Sequence, residues 1–264
     1  MRINDKKITV IASDFDGTII KHGMEAPSQR FYELVNECPE RGIFFVAASG
    51  RQYSNLYRML NCLHKDIAYI CENGSLVMYQ GRVIYKALIE EALAAELLTD
   101  MQLETGCDIM VSGEDTSYVL DKNPAFAAHV GEYIGNHCCV LQDFCQIQEP
   151  MIKISLYFPK GIPGDVAARY HEKYDGKLQI VDAGNDWFDF NPRESSKGHA
   201  LQKLAEALGL CMDETVAFGD GENDISLLKA AGLSYAMNTA QIHVQAVADA
   251  ICDTVENVIC KIKE

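Results

Sequence analysis

The sequence predicts an α/β protein: a doubly wound, Rossmann-like parallel sheet core interrupted by an inserted α+β domain. Three observations carry this. Short apolar runs alternate with amphipathic helical stretches at both ends of the chain. The middle of the chain breaks that rhythm and groups strand patterns together. Several of the apolar runs end in acidic or small polar residues, as strands do where their carboxyl ends open on a ligand site.

The first run is ITVIAS at 8–13, continuous rather than alternating, which suits a strand buried on both faces. A helical pattern at about 28–40 follows, with Ser28 as its cap, and Gly42 precedes the next buried run, IFFVAAS. A second helix from about Gln52 leads into IAYICENG. The pattern then changes. SLVMYQGRVIYKAL has strand residues on both sides of Gln80-Gly81, the signature of a hairpin. A helix near 90–104, strands at DIMVSG and TSYVLD, a helix near 124–134, the strand MIKISLYF, a helix near 163–174, and the runs KLQIVDAG and DWFDFNP follow. From Ser196 the earlier rhythm returns, with a helix, the buried run TVAFGD, a helix through Ile225 to Ala231, and LSYAM. The expected organisation is a discontinuous core at 1–82 and 190–264, with residues 83–189 as the insert.

Composition narrows the function classes. In 264 residues, 48% hydrophobic and 23% charged content is that of a globular protein. No apolar run approaches the roughly 20 residues of a membrane span, and acidic residues interrupt the N-terminal segment before a secretory leader could form. A cytoplasmic location is expected. Ten cysteines lack CxxC pairs and metal-ligand spacing, so reduced thiols are expected, Cys71 in the core and Cys138 and Cys139 half-buried. A net charge of −15 argues against nucleic acid and acidic membranes as partners, and no protein partner is evident.

Four segments carry candidate chemistry. Asp14-Phe15-Asp16-Gly17-Thr18 ends the first strand, where alternation sends two carboxylates the same way and Gly17 permits a sharp turn. Such a pair recruits a cation, and one carboxylate can attack a phosphorus while the other handles protons. Ser49 and Gly50 end the second run and offer a hydroxyl and backbone N–H groups to a phosphate. Lys197 opens a helix in SSKGHAL and can neutralise a nucleophile and a phosphate together. In GDGEND, Asp220 and Asp224 are hard oxygen ligands suited to Mg²⁺, with Asn223 between them. Singly, these segments also read as an Asp-Gly turn, a Ser-Gly turn, a solvated lysine and a capped acidic loop.

Together and in order, DFDGT, AASGR, SSKGHAL and GDGENDISLL resemble the four motifs of the haloacid dehalogenase superfamily, and the large insert resembles its Cof-type subclass IIB sugar-phosphatase branch. ENG at 72–74 and AMNTA resemble further family landmarks, although AMNTA lacks the usual glycine before the asparagine. The resemblance implies a Mg²⁺-dependent phosphatase working through an aspartyl-phosphate. It makes Asp14 the nucleophile and Asp16 the general acid and then base. Ser49, Gly50, Lys197 and Asn223 would bind phosphate. Asp14, the backbone carbonyl of Asp16, Asp220 and Asp224 would surround the metal. The cation and Lys197 supply the positive charge that so acidic a chain otherwise lacks. The insert would be a cap that selects the ester, with Arg51, Asn73 and Lys153 as substrate candidates. A small phosphorylated metabolite is the expected substrate: a sugar phosphate, phosphosugar acid, or cofactor or nucleotide phosphate. A phosphomutase sharing the aspartyl-phosphate and a non-hydrolytic phospho-acceptor switch are the alternatives.

Overall fold

The computed structural model describes residues 2–3, 6–21, 23–63, 66–183 and 186–262. The chain divides into two compact units, one of Met1–Ser49, Leu56–Tyr85 and Ser196–Glu264, the other of Gly50–Asn55 and Lys86–Ser195. The main crossings fall a few residues beyond the 83 and 189 read from the sequence.

The first unit is built on an eight-stranded sheet. Its strand order is Ala250–Cys252, Leu233–Met237, Thr215–Gly219, Val10–Asp14, Phe44–Ala48, Ile67–Cys71, Leu76–Tyr79 and Arg82–Lys86. The first six run parallel, and Leu76–Tyr79 turns back antiparallel against Ile67–Cys71. The five-residue strands at 10–14, 67–71, 215–219 and 233–237 are buried at every position, which is why they read as unbroken apolar runs and not as alternating ones. Ala200, Leu201 and Leu204 of helix Lys197–Leu208 pack with Leu227, Leu228, Val10, Val46 and Ala217. Each large apolar side chain so enclosed contributes about 1.5–3 kcal/mol. The Ser196 hydroxyl caps that helix by accepting from the His199 N–H at 3.2 Å, and Gly209 ends it in a left-handed conformation. The expected helix at 28–40 is Gln29–Glu37, capped by Ser28, followed by a tighter turn at Pro39–Arg41 because the proline cannot continue the hydrogen-bond ladder.

The second unit is a six-stranded, mainly antiparallel sheet in the order Cys138–Leu141, Ser117–Leu120, Asp108–Ser112, Lys153–Tyr157, Trp187–Pro192 and Leu178–Ala183. Helices Glu91–Met101 and Gly164–Tyr174 cover one face, where Val111, Ile154, Leu156, Phe188 and Phe190 form the core. On the other face Phe126 and Val130 pack on Met110 and Val119.

The segment expected to be one helix near 124–134 is an α-helix at Pro124–Ala128 that widens into a π-helical stretch at His129–Ile134. Gly131 lies over Cys138 there, and an added Cβ would make ordinary van der Waals contact with the Cys138 side chain. The strands at Cys138–Leu141 and Ala250–Cys252 and the short helices Ile242–Gln245 and Val255–Ile259 were not read from the sequence. They are only three to five residues long and show no clear periodicity. Among the described residues no helix is long and apolar enough to cross a membrane.

Candidate active site

Three adjacent parallel strands of the first unit end side by side. Val10–Asp14 lies between Thr215–Gly219 and Phe44–Ala48, with Asp14 opposite Ala48. The residues at or just past their carboxyl ends are Asp14, Asp220 and Ser49, the place where open α/β sheets bind ligands.

Asp14, Asp220 and Asp224 bring one carboxylate oxygen each within 4.8 Å of one another. Lys197 stands among them, 1% exposed. Its Nζ donates to Asp14 Oδ1 at 2.5 Å and to Asp224 Oδ1 at 2.6 Å. The other oxygen of Asp224 accepts from the backbone N–H groups of Asp220 and Gly221 at 3.0 and 2.9 Å, so Asp224 fixes both the lysine and its own loop. The Thr18 hydroxyl donates to Asp220 Oδ1 at 2.9 Å. Glycine is required at two points here. A Cβ on Gly17 would overlap the Asp220 carboxylate, and one on Gly198 would overlap the Ser226 carbonyl behind the lysine helix.

Burial, followed by the neighbouring Asp224 carboxylate, pushes the Asp14 carboxyl well above its ordinary value against the pull of Lys197. Asp220 is raised for the same two leading reasons. For Lys197, burial works against the charge, but Asp14 and Asp224 outweigh it and the ammonium is held more firmly than usual. One cation among three carboxylates leaves a negative excess.

That excess is what a hard divalent cation would meet. Oδ2 of Asp14 is buried and has no hydrogen-bond donor. Ionised carboxylates offer each other none, so this oxygen is left for a cation or a protonated group. The donor set is all oxygen, which fits Mg²⁺. The exposed Asp16 stands outside the trio, and its Oδ2 accepts from the Ser49 hydroxyl at 3.3 Å.

Asn73 and Asn223 meet on the same unit, the amide of Asn223 donating to Asn73 Oδ1 at 3.2 Å. The backbone makes this possible at Glu72 and Asn73, which both adopt left-handed φ, +50° and +56°. Two successive non-glycine residues in that region store strain, a feature that concentrates at functional sites. The Asn73 N–H donates to the Ser49 carbonyl at 3.2 Å, and Gly74 closes tightly on the Ser196 carbonyl just before Lys197. ENG thus braces two of the motif segments.

Gly50, Arg51 and Lys153 belong to the second unit. Arg51 donates to Asn55 Oδ1 at 2.9 Å. Lys153 is 5% exposed, pairs with Asp189 at 3.3 Å and donates to the Gly50 carbonyl at 3.1 Å. Sequence reading passed over Thr18, Ser226 and Asp189. Thr18 stands inside DFDGT, and its β-hydroxyl two residues past the second Asp was the available signal.

Comparisons with known proteins give the chain a family. Residues 11–259 match the family model of haloacid dehalogenase-like hydrolases. A 5-amino-6-(5-phospho-D-ribitylamino)uracil phosphatase of Escherichia coli is 28% identical over 241 residues, 91% of this chain and 89% of that protein. A phosphatase of Bacillus subtilis is 28% identical over 272 residues, 92% and 93% of the two chains. A crystal structure of a Eubacterium rectale protein superposes with a TM-score of 0.84 at 26% identity, covering 96% of this chain and 98% of that one. The family match leaves only short ends outside it: the chain belongs to the haloacid dehalogenase-like hydrolase family.

Proposed function

We propose that the protein is a Mg²⁺-dependent phosphatase that hydrolyses phosphate monoesters of small metabolites through an aspartyl-phosphate on Asp14. The observation that carries this is the state of Asp14: one oxygen held by Lys197, the other buried without a donor, at the carboxyl end of a central strand.

In this reading an oxygen of Asp14 forms a bond to phosphorus as the ester P–O bond breaks. Asp16 gives its proton to the departing oxygen. It then takes a proton from water as that water attacks phosphorus, releasing inorganic phosphate and restoring the Asp14 carboxylate. Lys197 fixes the Asp14 rotamer and favours the charged form of the nucleophile against the opposing effects of burial and Asp224. Ser49, Gly50 and Asn223 bind phosphoryl oxygens. The residues that would hold Mg²⁺ are Asp14, Asp220 and Asp224, with the backbone carbonyl of Asp16. The ion supplies neutralising charge for a phosphate entering an acidic site.

The inserted unit is the part we assign to choosing the ester, with Arg51, Asn73 and Lys153 as contacts. The printed substrate of the Escherichia coli relative, a phosphorylated ribitylamino-uracil, supports a small phosphorylated metabolite. Ten free cysteines support a reducing compartment, the cytoplasm.

The test is phosphate release from a panel of phosphorylated sugars, sugar alcohols, nucleotides and cofactors, with Mg²⁺ and with EDTA. Release that needs Mg²⁺ is expected. Silence across the panel, or release indifferent to EDTA, would overturn the reading.

A further inference from the structure

Helices Glu91–Met101 and Gly164–Tyr174 of the second unit leave a groove of about 500 Å³ between them. A volume of that size suits a small organic molecule. The groove lies on the helix-covered face of the sheet, the face of Ile154, Leu156, Phe188 and Phe190. Strand alternation puts Lys153, Ser155 and Asp189 on the opposite face. Nothing in the reaction proposed above uses the groove.

Tyr170 reaches it from inside. Its ring packs in the core, 5.3 Å from Phe190 and 6.2 Å from Phe188, and the residue is only 3% exposed. Its hydroxyl is buried with no hydrogen-bond partner. Burial, then the Glu104 and Asp100 carboxylates, push this phenol well above its ordinary value, so the oxygen faces two groups that line the groove. One helical turn on, the Tyr174 hydroxyl donates to Asp100 at 2.5 Å. Phenylalanine would meet the apolar packing around Tyr170, so its hydroxyl is a buried polar atom that the fold itself leaves unused.

The charge around that hydroxyl is acidic in balance. Arg169 pairs with Glu104 at 2.6 Å and with Asp165 at 3.2 Å. Lys173 pairs with Asp100 at 2.6 Å and with Glu96 at 3.0 Å. Each basic group thus faces two carboxylates, and Glu172 adds another to the lining. Lys173 and Tyr174 both use Asp100 Oδ2, and Arg169 uses Glu104 Oε1. Among the described residues Asp100 Oδ1 and Glu104 Oε2 therefore receive no donor. Lys173 and Lys177 also lie over the Tyr174 ring, 5.3 and 5.7 Å from its centroid, so its face accepts ammonium groups. A metal ion is a poor occupant: among the described residues, three metal-ligating groups converge within 4.8 Å only at Asp14, Asp220 and Asp224.

We propose that this groove binds an aliphatic amine, its ammonium seated against the Tyr170 hydroxyl and the Asp100 and Glu104 carboxylates. An ammonium brings three N–H donors and no acceptor, which is what three oxygens with open lone pairs require. An anion would meet the carboxylates, and an uncharged molecule would leave their excess unmatched. The carbon chain of the amine covers Leu103, which is 78% exposed in the groove lining. The amine is a second ligand of the protein, bound on the other side of the sheet from Lys153, and it does not depend on the phosphatase reading.

The probe is 1,4-diaminobutane, with 1,4-butanediol as the uncharged molecule of matching length, each titrated calorimetrically into the protein at low ionic strength. Saturable one-to-one binding of the diamine and none of the diol is expected. Tyr170→Phe should weaken the diamine about tenfold, the scale of one hydrogen bond to a charged group, and Glu104→Gln at least as much. Thermal melts separate a binding role from a structural one. Without amine, Tyr170→Phe should melt at or above the wild-type temperature, since the hydroxyl it removes has no partner. With amine, the wild type should gain more than the variant. Equal binding by wild type and Tyr170→Phe, or heat that never saturates, would reduce the effect to general attraction by an acidic chain and overturn the inference. A lower melting temperature for amine-free Tyr170→Phe would show that a fixed water satisfies the hydroxyl, and would overturn it too.

Discussion

The Lys197 ammonium lies 2.5 Å from Asp14 Oδ1, with both side chains almost wholly enclosed. A buried ion pair adds little net stability over a well-packed apolar pair, but removing one partner strands the other charge. Lys197→Met should therefore unfold at lower denaturant concentration, by about 3–5 kcal/mol, and release no phosphate. Equilibrium urea denaturation checks the first outcome. Adding Asp14→Asn should recover part of the lost stability, because the stranded charge goes with it.

Asp14→Asn alone keeps the shape and removes the carboxylate that we propose as the nucleophile. Turnover should fall by several orders of magnitude while the melting temperature stays near or above that of the wild type, since burial already disfavours the Asp14 charge. Near-normal phosphate release would remove Asp14 from the mechanism.

Mg²⁺ should raise the melting temperature of the protein. At a concentration a hundred times its dissociation constant, a ligand specific for the folded state contributes about 2.7 kcal/mol. Asp220→Ala should abolish the shift and the rate together. A variant that still responds fully to Mg²⁺ would place the ion elsewhere.

Gly17→Ala tests the same site from the backbone. Gly17 has φ +89° and its missing Cβ is the space Asp220 occupies. The alanine should cost roughly 1–2 kcal/mol in backbone strain and weaken the apparent Mg²⁺ affinity in activity titrations. An unchanged Mg²⁺ midpoint would show that the close approach of Asp220 is unimportant.

The second unit carries a pH-dependent contact of its own. Burial raises the Asp100 carboxyl, but hydrogen bonds from Lys173 at 2.6 Å and Tyr174 at 2.5 Å prevail and hold it below its usual value. A depressed carboxyl stabilises the fold above its unfolded value near 4, and that contribution is lost as pH falls through the lower, folded one. Wild-type protein should lose more stability than Asp100→Asn between pH 6 and pH 3, read by thermal melts. Parallel losses would mean the contact is neutral.

The motif segments were legible because each places its chemistry within a few residues at the end of an apolar strand. DFDGT and GDGEND carry their carboxylates in one stretch, and burial on both faces makes the supporting strands read as plain runs. What escaped was built from residues far apart in the chain. The Asn73–Asn223 contact lies at left-handed backbone at Glu72 and Asn73, a conformation that Asn tolerates well but that Glu does not announce. Lys153 opens its strand, where the common reading is a solvent-facing lysine. Its burial follows from Asp189 on the neighbouring strand, and that register was not fixed by either segment alone. The widening of the helix at His129–Ile134 leaves the local hydrophobic pattern intact and so gave no sign.

Asp14 and Lys197 are 183 residues apart in sequence, and the whole of Lys86–Ser195 lies between them. Closing so long a loop carries an entropic cost that local contacts do not. The inserted unit, whose strands pair largely with near neighbours, is free to condense first, while the core sheet waits for its Thr215–Gly219 strand. During synthesis the acidic Asp14 strand therefore emerges long before its lysine. Until Ser196 onward leaves the ribosome, Asp14 lacks the Lys197 ammonium that pairs with it in the folded protein.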